Sequence, residues 1–313
     1  MNLDKDIELQ KAVLQEVKLP GISGITKLCI MRLDLIHSLV NGNKWFKLKY
    51  NLSEAKEKRH DTLLTFGGAY SNHIHATAAA GKLFGFKTIG VIRGEEHLPL
   101  NPTLQFAAEQ GMKIKYVSRS EYRKKHTTGF NEKLYKEFGS VYIIPEGGTN
   151  ILAVKGCSEI PGLIEKDFDY LCLACGTAGT FSGLTVGLNG TKQVLGFSVL
   201  KGGGFLIDQA ESLIKEYNGK KYSNAQINLN YHFGGYAKIT CELMEFITEF
   251  EKLNSIPLDP IYTGKMMYGI YDLCKNGFFK ERESVVALHT GGLQGLAGMK
   301  EKIERFHASL TKQ

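Results

Sequence analysis

The sequence predicts an α/β protein built on mostly parallel sheets. Two patterns lead there. Short β-rich apolar runs recur along the 313 residues, and longer amphipathic stretches separate them. Glycine-rich turns follow several of those runs, at the strand ends where ligands of open α/β sheets collect. The runs 62–66, 88–92, 113–117, 141–144, 170–174, 194–199 and 285–288 read as strands. The stretches 45–59, 72–84, 101–110, 239–253 and 263–276 carry helical periodicity. The length leaves room for two lobes, with Glu146-Gly147-Gly148-Thr149 as a candidate joint.

Composition narrows the class. Hydrophobic residues make up 43% and charged residues 23%, enough apolar material for a sizeable core. The net charge is +7, but lysines alternate with glutamates, as in Glu54-Ala55-Lys56-Glu57-Lys58-Arg59. That pattern reads as a solvated helix face and not as a nucleic-acid surface. A mild positive field favours anionic ligands. The start is polar, and no apolar run approaches the ~18 residues of a membrane span, so a cytoplasmic protein without membrane contact is expected. The six cysteines are scattered, as reduced thiols are. Cys172 and Cys175 lack a second pair for zinc and sit in an apolar run, so a buried strand is expected there and no metal site.

Five segments could carry chemistry. In Asn41-Gly42-Asn43-Lys44-Trp45-Phe46-Lys47 a tight turn sets Lys44 near the start of a helix, where the macrodipole disfavours its charge. That suits a nucleophilic amine, although a lysine beside a turn is more often an ordinary surface residue. In Gly67-Gly68-Ala69-Tyr70-Ser71-Asn72-His73 a strand ends and Ser71 or Asn72 can cap the next helix, leaving N–H groups for a carboxylate or phosphate. A plain capped turn fits the same residues. In Cys175-Gly176-Thr177-Ala178-Gly179-Thr180 small residues and two hydroxyls form a phosphate cradle. It has neither the P-loop lysine nor dinucleotide glycine spacing, which counts against a nucleotide-binding enzyme. Tyr262, in Asp259-Pro260-Ile261-Tyr262-Thr263-Gly264-Lys265, and Tyr236, after two glycines, could project into a cleft or simply pack. Leu288-His289-Thr290-Gly291-Gly292 places another hydroxyl at a strand's carboxyl end.

In this order the segments resemble the 1-aminocyclopropane-1-carboxylate (ACC) deaminase / D-cysteine desulfhydrase family of pyridoxal-phosphate (PLP) enzymes, over almost the whole chain. The resemblance implies a two-lobed fold type II, each lobe a mostly parallel twisted sheet flanked by helices. Residues 1–47 and 147–313 would form the larger, PLP-binding lobe and 48–146 the smaller. Gly42-Asn43-Lys44-x-x-Lys47 looks like the cofactor-lysine motif, with Lys44 the Schiff-base residue. Ser71 and His73 would hold the substrate carboxylate, and Asn72 would bond the cofactor's ring oxygen while helping to seat the substrate. Gly176, Thr177, Ala178, Gly179 and Thr180 would bind the phosphate. Thr290 would face the pyridine nitrogen, with Thr263 nearby. Ser71, Tyr236 and Tyr262 would join Lys44 in catalysis. A small amino-acid substrate and a homodimer are implied.

The chain departs from the family pattern at four places. Trp45-Phe46 stand where Thr-Arg is usual, and Tyr70 stands where Gln is usual. His75-Ala76 lie near the place of a usual Arg. Thr263 replaces the Glu of well-studied ACC deaminases, as in D-cysteine desulfhydrases. The expected activity is therefore conversion of D-cysteine to pyruvate, sulfide and ammonia. ACC deamination to 2-oxobutyrate is the alternative, and a non-catalytic PLP-binding protein is a more distant one.

Overall fold

The computed structural model describes residues 6–21 and 27–299, together with 303, 304 and 306. Its chain order begins β1 (Leu14–Glu16), β2 (Lys27–Met31), α1 (Asn43–Glu57), β3 (Thr62–Gly67), α2 (Asn72–Phe84), β4 (Lys87–Arg93) and α3 (Pro102–Glu109). It continues β5 (Met112–Val117), α4 (Arg119–Tyr122), α5 (Thr128–Phe138), β6 (Tyr142–Ile144), α6 (Ile151–Cys157), β7 (Tyr170–Cys175) and α7 (Gly179–Leu188). It ends β8 (Gln193–Ser198), α8 (Phe205–Asn218), β9 (Ala225–Asn228), α9 (Cys241–Asn254), α10 (Thr263–Lys275) and β10 (Ser284–Leu288). The sequence reading placed seven of these strands within a residue or two and missed β1, β2 and β9.

Two sheets form. One has the order β1-β2-β10-β7-β8-β9 and the other β5-β4-β3-β6. Every pairing is parallel except β1 with β2. The central strands are buried on both faces, as parallel strands covered by helices must be, and this explains why they read as continuous apolar runs. Cys172 and Cys175 belong to β7 and are buried there as free thiols. Among the described residues no helix is long and apolar enough to cross a membrane.

Each sheet has one point where strand order reverses. In the larger sheet it lies between β7 and β10, and in the smaller between β3 and β6. The loops at the carboxyl ends of these four strands hold Gly176–Thr180, His289–Gly292, Gly68–Ser71 and Glu146–Thr149. Ligands of open α/β sheets bind at such reversals. The topology thus gathers segments far apart in sequence.

Helix α1 ties the two sheets together, and the lobe change expected at 47/48 falls inside it. Its Trp45, Leu48 and Leu52 are fully buried in one apolar cluster with Ala76, Ala80 and Phe84 of α2 and Leu171 and Leu173 of β7. The Trp45 and Phe84 rings lie 5.7 Å apart. On its other side α1 meets α6, where a β-carbon on Gly156 would stand 1.8 Å from the Phe46 carbonyl oxygen. Backbone atoms cannot yield that space cheaply. Gly156→Ala is expected to lower the unfolding free energy by about 2–3 kcal/mol, read as a lower urea midpoint at unchanged slope. An unchanged midpoint would mean that α1 and α6 separate without cost.

Candidate active site

Lys44 sits at the second residue of α1, and Gly42 before it has φ +62°. A β-carbon on Gly42 would collide with the Thr290 carbonyl at 2.0 Å, so only glycine brings Lys44 beside the β10 loop. The Lys44 ammonium donates to Asn43 Oδ1 at 2.8 Å, and Asn43 Nδ2 donates to Thr180 Oγ1 at 2.9 Å. Burial pulls the Lys44 pKa down to about 8, against weaker support from Cys157 and Asp259. One turn on, Lys47 is buried and donates to Thr149 Oγ1 at 3.0 Å and Thr177 Oγ1 at 3.1 Å. Its pKa falls to about 7, first through burial and then through the neighbouring Lys44 charge.

Helix α7 begins in the middle of the Gly176–Thr180 loop, and no side chain caps it. Its free N–H groups, the Thr177 hydroxyl and the Lys47 ammonium therefore converge on one place. That donor set suits a phosphate dianion, which would also neutralise the two crowded lysines. The sequence reading carried Lys47 in its motif without a role and did not single out Thr149. The i, i+3 spacing from Lys44 was the available signal.

The loop after β3 supplies the opposite wall. Ser71 caps α2, its Oγ accepting from the N–H groups of His73 and Ile74 at 3.2 and 3.3 Å. Its own O–H remains to donate. Asn72 packs against Gly292, where a β-carbon would come within 2.9 Å of Nδ2. His73 turns inward: it is 2% exposed, and Nε2 meets Thr65 Oγ1 at 2.8 Å. The Thr65 hydroxyl donates to the Ile144 carbonyl, so Nε2 must carry the proton and Nδ1 a lone pair. Nδ1 is buried without a partner near Gly148 and Lys47. Burial, then Lys47 and Lys44, hold the ring pKa well below its usual value and keep it neutral. A lone pair suits a donor and not the carboxylate that the sequence reading gave it.

The tyrosines meet. The rings of Tyr236 and Tyr262 lie 6.1 Å apart edge to face. Tyr262 lies against Gly176, where a β-carbon would be 2.8 Å from Cε1. Burial pushes the pKa of both phenols up, so both stay protonated at neutral pH. Beneath them Asp259, 2% exposed, accepts from the N–H groups of Ile261, Tyr262 and Thr263 and from Thr263 Oγ1 at 2.6 Å. Thr263 Oγ1 also accepts from Asp259 N at 2.9 Å. The Thr263 hydroxyl is thus already engaged and does not stand free for a pyridine nitrogen. Thr290 lies at the end of β10, its backbone against Gly42. The His289 ring N–H anchors that loop to the Pro257 carbonyl at 2.8 Å.

The matching family model is "Pyridoxal-phosphate dependent enzyme", over residues 14–291. The chain belongs to this family. Two curated relatives narrow the branch. A Pyrococcus furiosus protein named "Putative 1-aminocyclopropane-1-carboxylate deaminase" is 33% identical over 92% of each chain. The Arabidopsis thaliana mitochondrial bifunctional D-cysteine desulfhydrase/ACC deaminase is 32% identical over 89% of this chain and 75% of its own. The crystal structure of an ACC deaminase homologue superposes with TM-score 0.82 at 30% identity, covering 95% of this chain and 94% of that one. A hydrogen sulfide-producing enzyme from Fusobacterium nucleatum, 14% identical over 91% of this chain and 98% of its own with TM-score 0.66, shares the fold. The chain is a PLP-dependent lyase or deaminase of fold type II, in the ACC deaminase/D-cysteine desulfhydrase branch, and such enzymes act on small amino acids.

For this PLP enzyme the departures now have positions. Trp45 and Phe46 are core residues. His75 stacks on Phe106 at 3.8 Å, and burial pulls its pKa to about 4. Tyr70 is 46% exposed and packs against Gly298.

The lysines make the cofactor-free protein sensitive to pH. Folding lowers both pKa values from 10.5, so between about 7 and 10.5 the unfolded chain holds protons that the folded chain has released. The penalty is fully present below the folded values and fades as pH rises. In Lys47→Met one such proton is gone. Its stability is expected to climb less steeply than the wild type between about pH 7.5 and 9.5, by about 1.4 kcal/mol per pH unit. Equal slopes in urea titrations would refute this.

Proposed function

We propose that the enzyme eliminates sulfide from D-cysteine. The observation that carries this reading is Thr263: where a carboxylate would favour ACC chemistry, a short hydroxyl stands, bound to Asp259. ACC deamination is the second reading, favoured by the names of the Pyrococcus relatives.

Bound PLP supplies an electron sink for charge developing at the substrate's Cα. The residues of the chain do the rest. Thr177, Thr180, Lys47 and the α7 N-terminus would hold the phosphate, and Asn72 would bond the ring oxygen. Thr290 would be the partner of the ring nitrogen. The Ser71 hydroxyl donates to the substrate carboxylate, which sets the Cα–H bond for removal. The Lys44 amine, with its pKa already at about 8, takes that proton. Tyr262 and Tyr236, held protonated, would supply the leaving sulfur with a proton. D-cysteine and water then give pyruvate, sulfide and ammonia. With ACC, ring opening and water give 2-oxobutyrate and ammonia. A homodimer, a cytoplasmic location and lobe limits of 1–47 with 147–313 against 48–146 complete the proposal.

The test uses PLP-loaded wild type and Lys44→Ala. The wild type is expected to show a visible band that borohydride abolishes, leaving the cofactor's mass on the Lys44 peptide, and to release pyruvate from D-cysteine. The variant is expected to lose turnover by about 10²–10⁴-fold. Release of 2-oxobutyrate from ACC without pyruvate from D-cysteine would assign the deaminase. A wild-type band with neither product would leave a PLP-binding protein.

A further inference from the structure

We propose that Lys265 is the positioning residue for Tyr236: its buried ammonium binds the turn that carries this tyrosine and holds it against Tyr262. The inference rests on the reading that the two tyrosines line the reaction site, but its geometry stands apart from that reading.

Lys265 is fully buried in the first turn of α10. Two forces oppose a cation there. Burial removes its hydration, and the helix N-terminus presents positive charge. What compensates is specific. Nζ donates to the His232 carbonyl at 2.9 Å and to the Gly235 carbonyl at 2.7 Å. Asp259 adds Coulombic support, while burial still pulls the pKa to about 8. An apolar residue would fill this space without the penalty, so packing does not explain a lysine here.

The bound turn is a strained one. Phe233 has φ +50° and Ala237 φ +54°, both in the left-handed region, and Gly234 and Gly235 between them have φ +89° and +118°. Side-chain-bearing residues keep such angles only where their surroundings impose them. Within the turn, Gly235 N–H bonds the His232 carbonyl and Lys238 N–H bonds the Gly235 carbonyl. Lys265 takes the second lone pair of the same two carbonyls. Tyr236 follows Gly235 directly, and the partner ring, Tyr262, stands three residues before Lys265 at the same helix start. One helical turn therefore carries both the tyrosine that Tyr236 touches and the ammonium that fixes its loop.

The test compares full-length wild type, Lys265→Met, Tyr236→Phe and the double variant. Amide hydrogen exchange on the cofactor-free proteins reads the turn directly. In Lys265→Met, amides 232–238 are expected to exchange about tenfold faster or more, with β7 and β8 unchanged. In the PLP-loaded enzymes, Lys265→Met is expected to lower kcat for D-cysteine about tenfold with a smaller change in KM. The double variant is expected to be no slower than Tyr236→Phe alone, because both changes remove the same contribution. Wild-type exchange in the turn, or a double variant slower by the product of the two single losses, overturns the proposal. If Tyr236→Phe turns over normally while the turn still opens in Lys265→Met, the anchor stands and the catalytic reading of Tyr236 fails. Should Lys265→Met not fold, Lys265→Gln keeps a neutral donor one atom shorter. Exchange in its turn is expected to rise about threefold, and wild-type exchange there also overturns the proposal.

Discussion

Two lysines one turn apart on α1, Lys44 partly buried and Lys47 buried, have only neutral hydrogen-bond partners. Lys44 has an amide oxygen and Lys47 two hydroxyls. Neutral acceptors satisfy the hydrogen bonds of an ammonium but do not cancel its charge. The protein meets the cost by shedding protons, and both pKa values fall. A bound dianion removes that need. The uncapped start of α7, the small residues of Gly176–Thr180 and the inward neutral His73 fit the same constraint, since a capping side chain would take the N–H groups that an anion needs and a charged His73 would add a third cation beside the lysines.

Close approach is the second theme. The site is made by loops at the reversal points of two different sheets, and side chains larger than hydrogen would keep them apart. Gly42 meets the Thr290 carbonyl, and Gly156 meets the Phe46 carbonyl. The first contact sets Lys44 against the β10 loop. The second seats α1 on α6, and α1 carries both lysines. A substitution at Gly156, on a different helix, therefore acts on the position of Lys44.

Much of this was legible in the sequence. The central strands are continuous apolar runs because helices cover both faces, and each ends in a glycine-rich loop. That pattern singled out Ser71, Asn72, Gly176–Thr180 and Thr290 before any coordinates, turns leading into helices singled out Lys44 and Tyr262, and the topology brings these segments together. The missed strands have physical excuses. β1 and β9 are short edge strands with only partial burial, so neither apolar continuity nor alternation marks them. The partners of Lys47 could not be read because Thr149 and Thr177 lie 102 and 130 residues away, where only the fold aligns them. His73 misled for a related reason: its neighbours in sequence suggest a carboxylate, but its acceptor Thr65 belongs to the strand before it and fixes the tautomer.

The motif departures bear unequally on substrate choice. Trp45 and Phe46 are spent in the core, and His75 is stacked and neutral, so none of them presents charge to the cleft. Thr263 is different, yet it does not act alone. Its hydroxyl donates to Asp259, and that carboxylate also receives three backbone N–H groups at the start of α10. A glutamate at 263 would replace a donor with a second carboxylate beside a buried one, and one of the two would have to hold a proton. The strain would fall on the backbone of Tyr262, whose N–H bonds Asp259 Oδ1. A glutamate at 263 would thus disturb Asp259 and the tyrosine pair together. On the proposed reading, the Asp259–Thr263–Tyr262 unit as a whole, and not Thr263 alone, is where the choice between breaking a Cβ–S bond and opening a ring would be made.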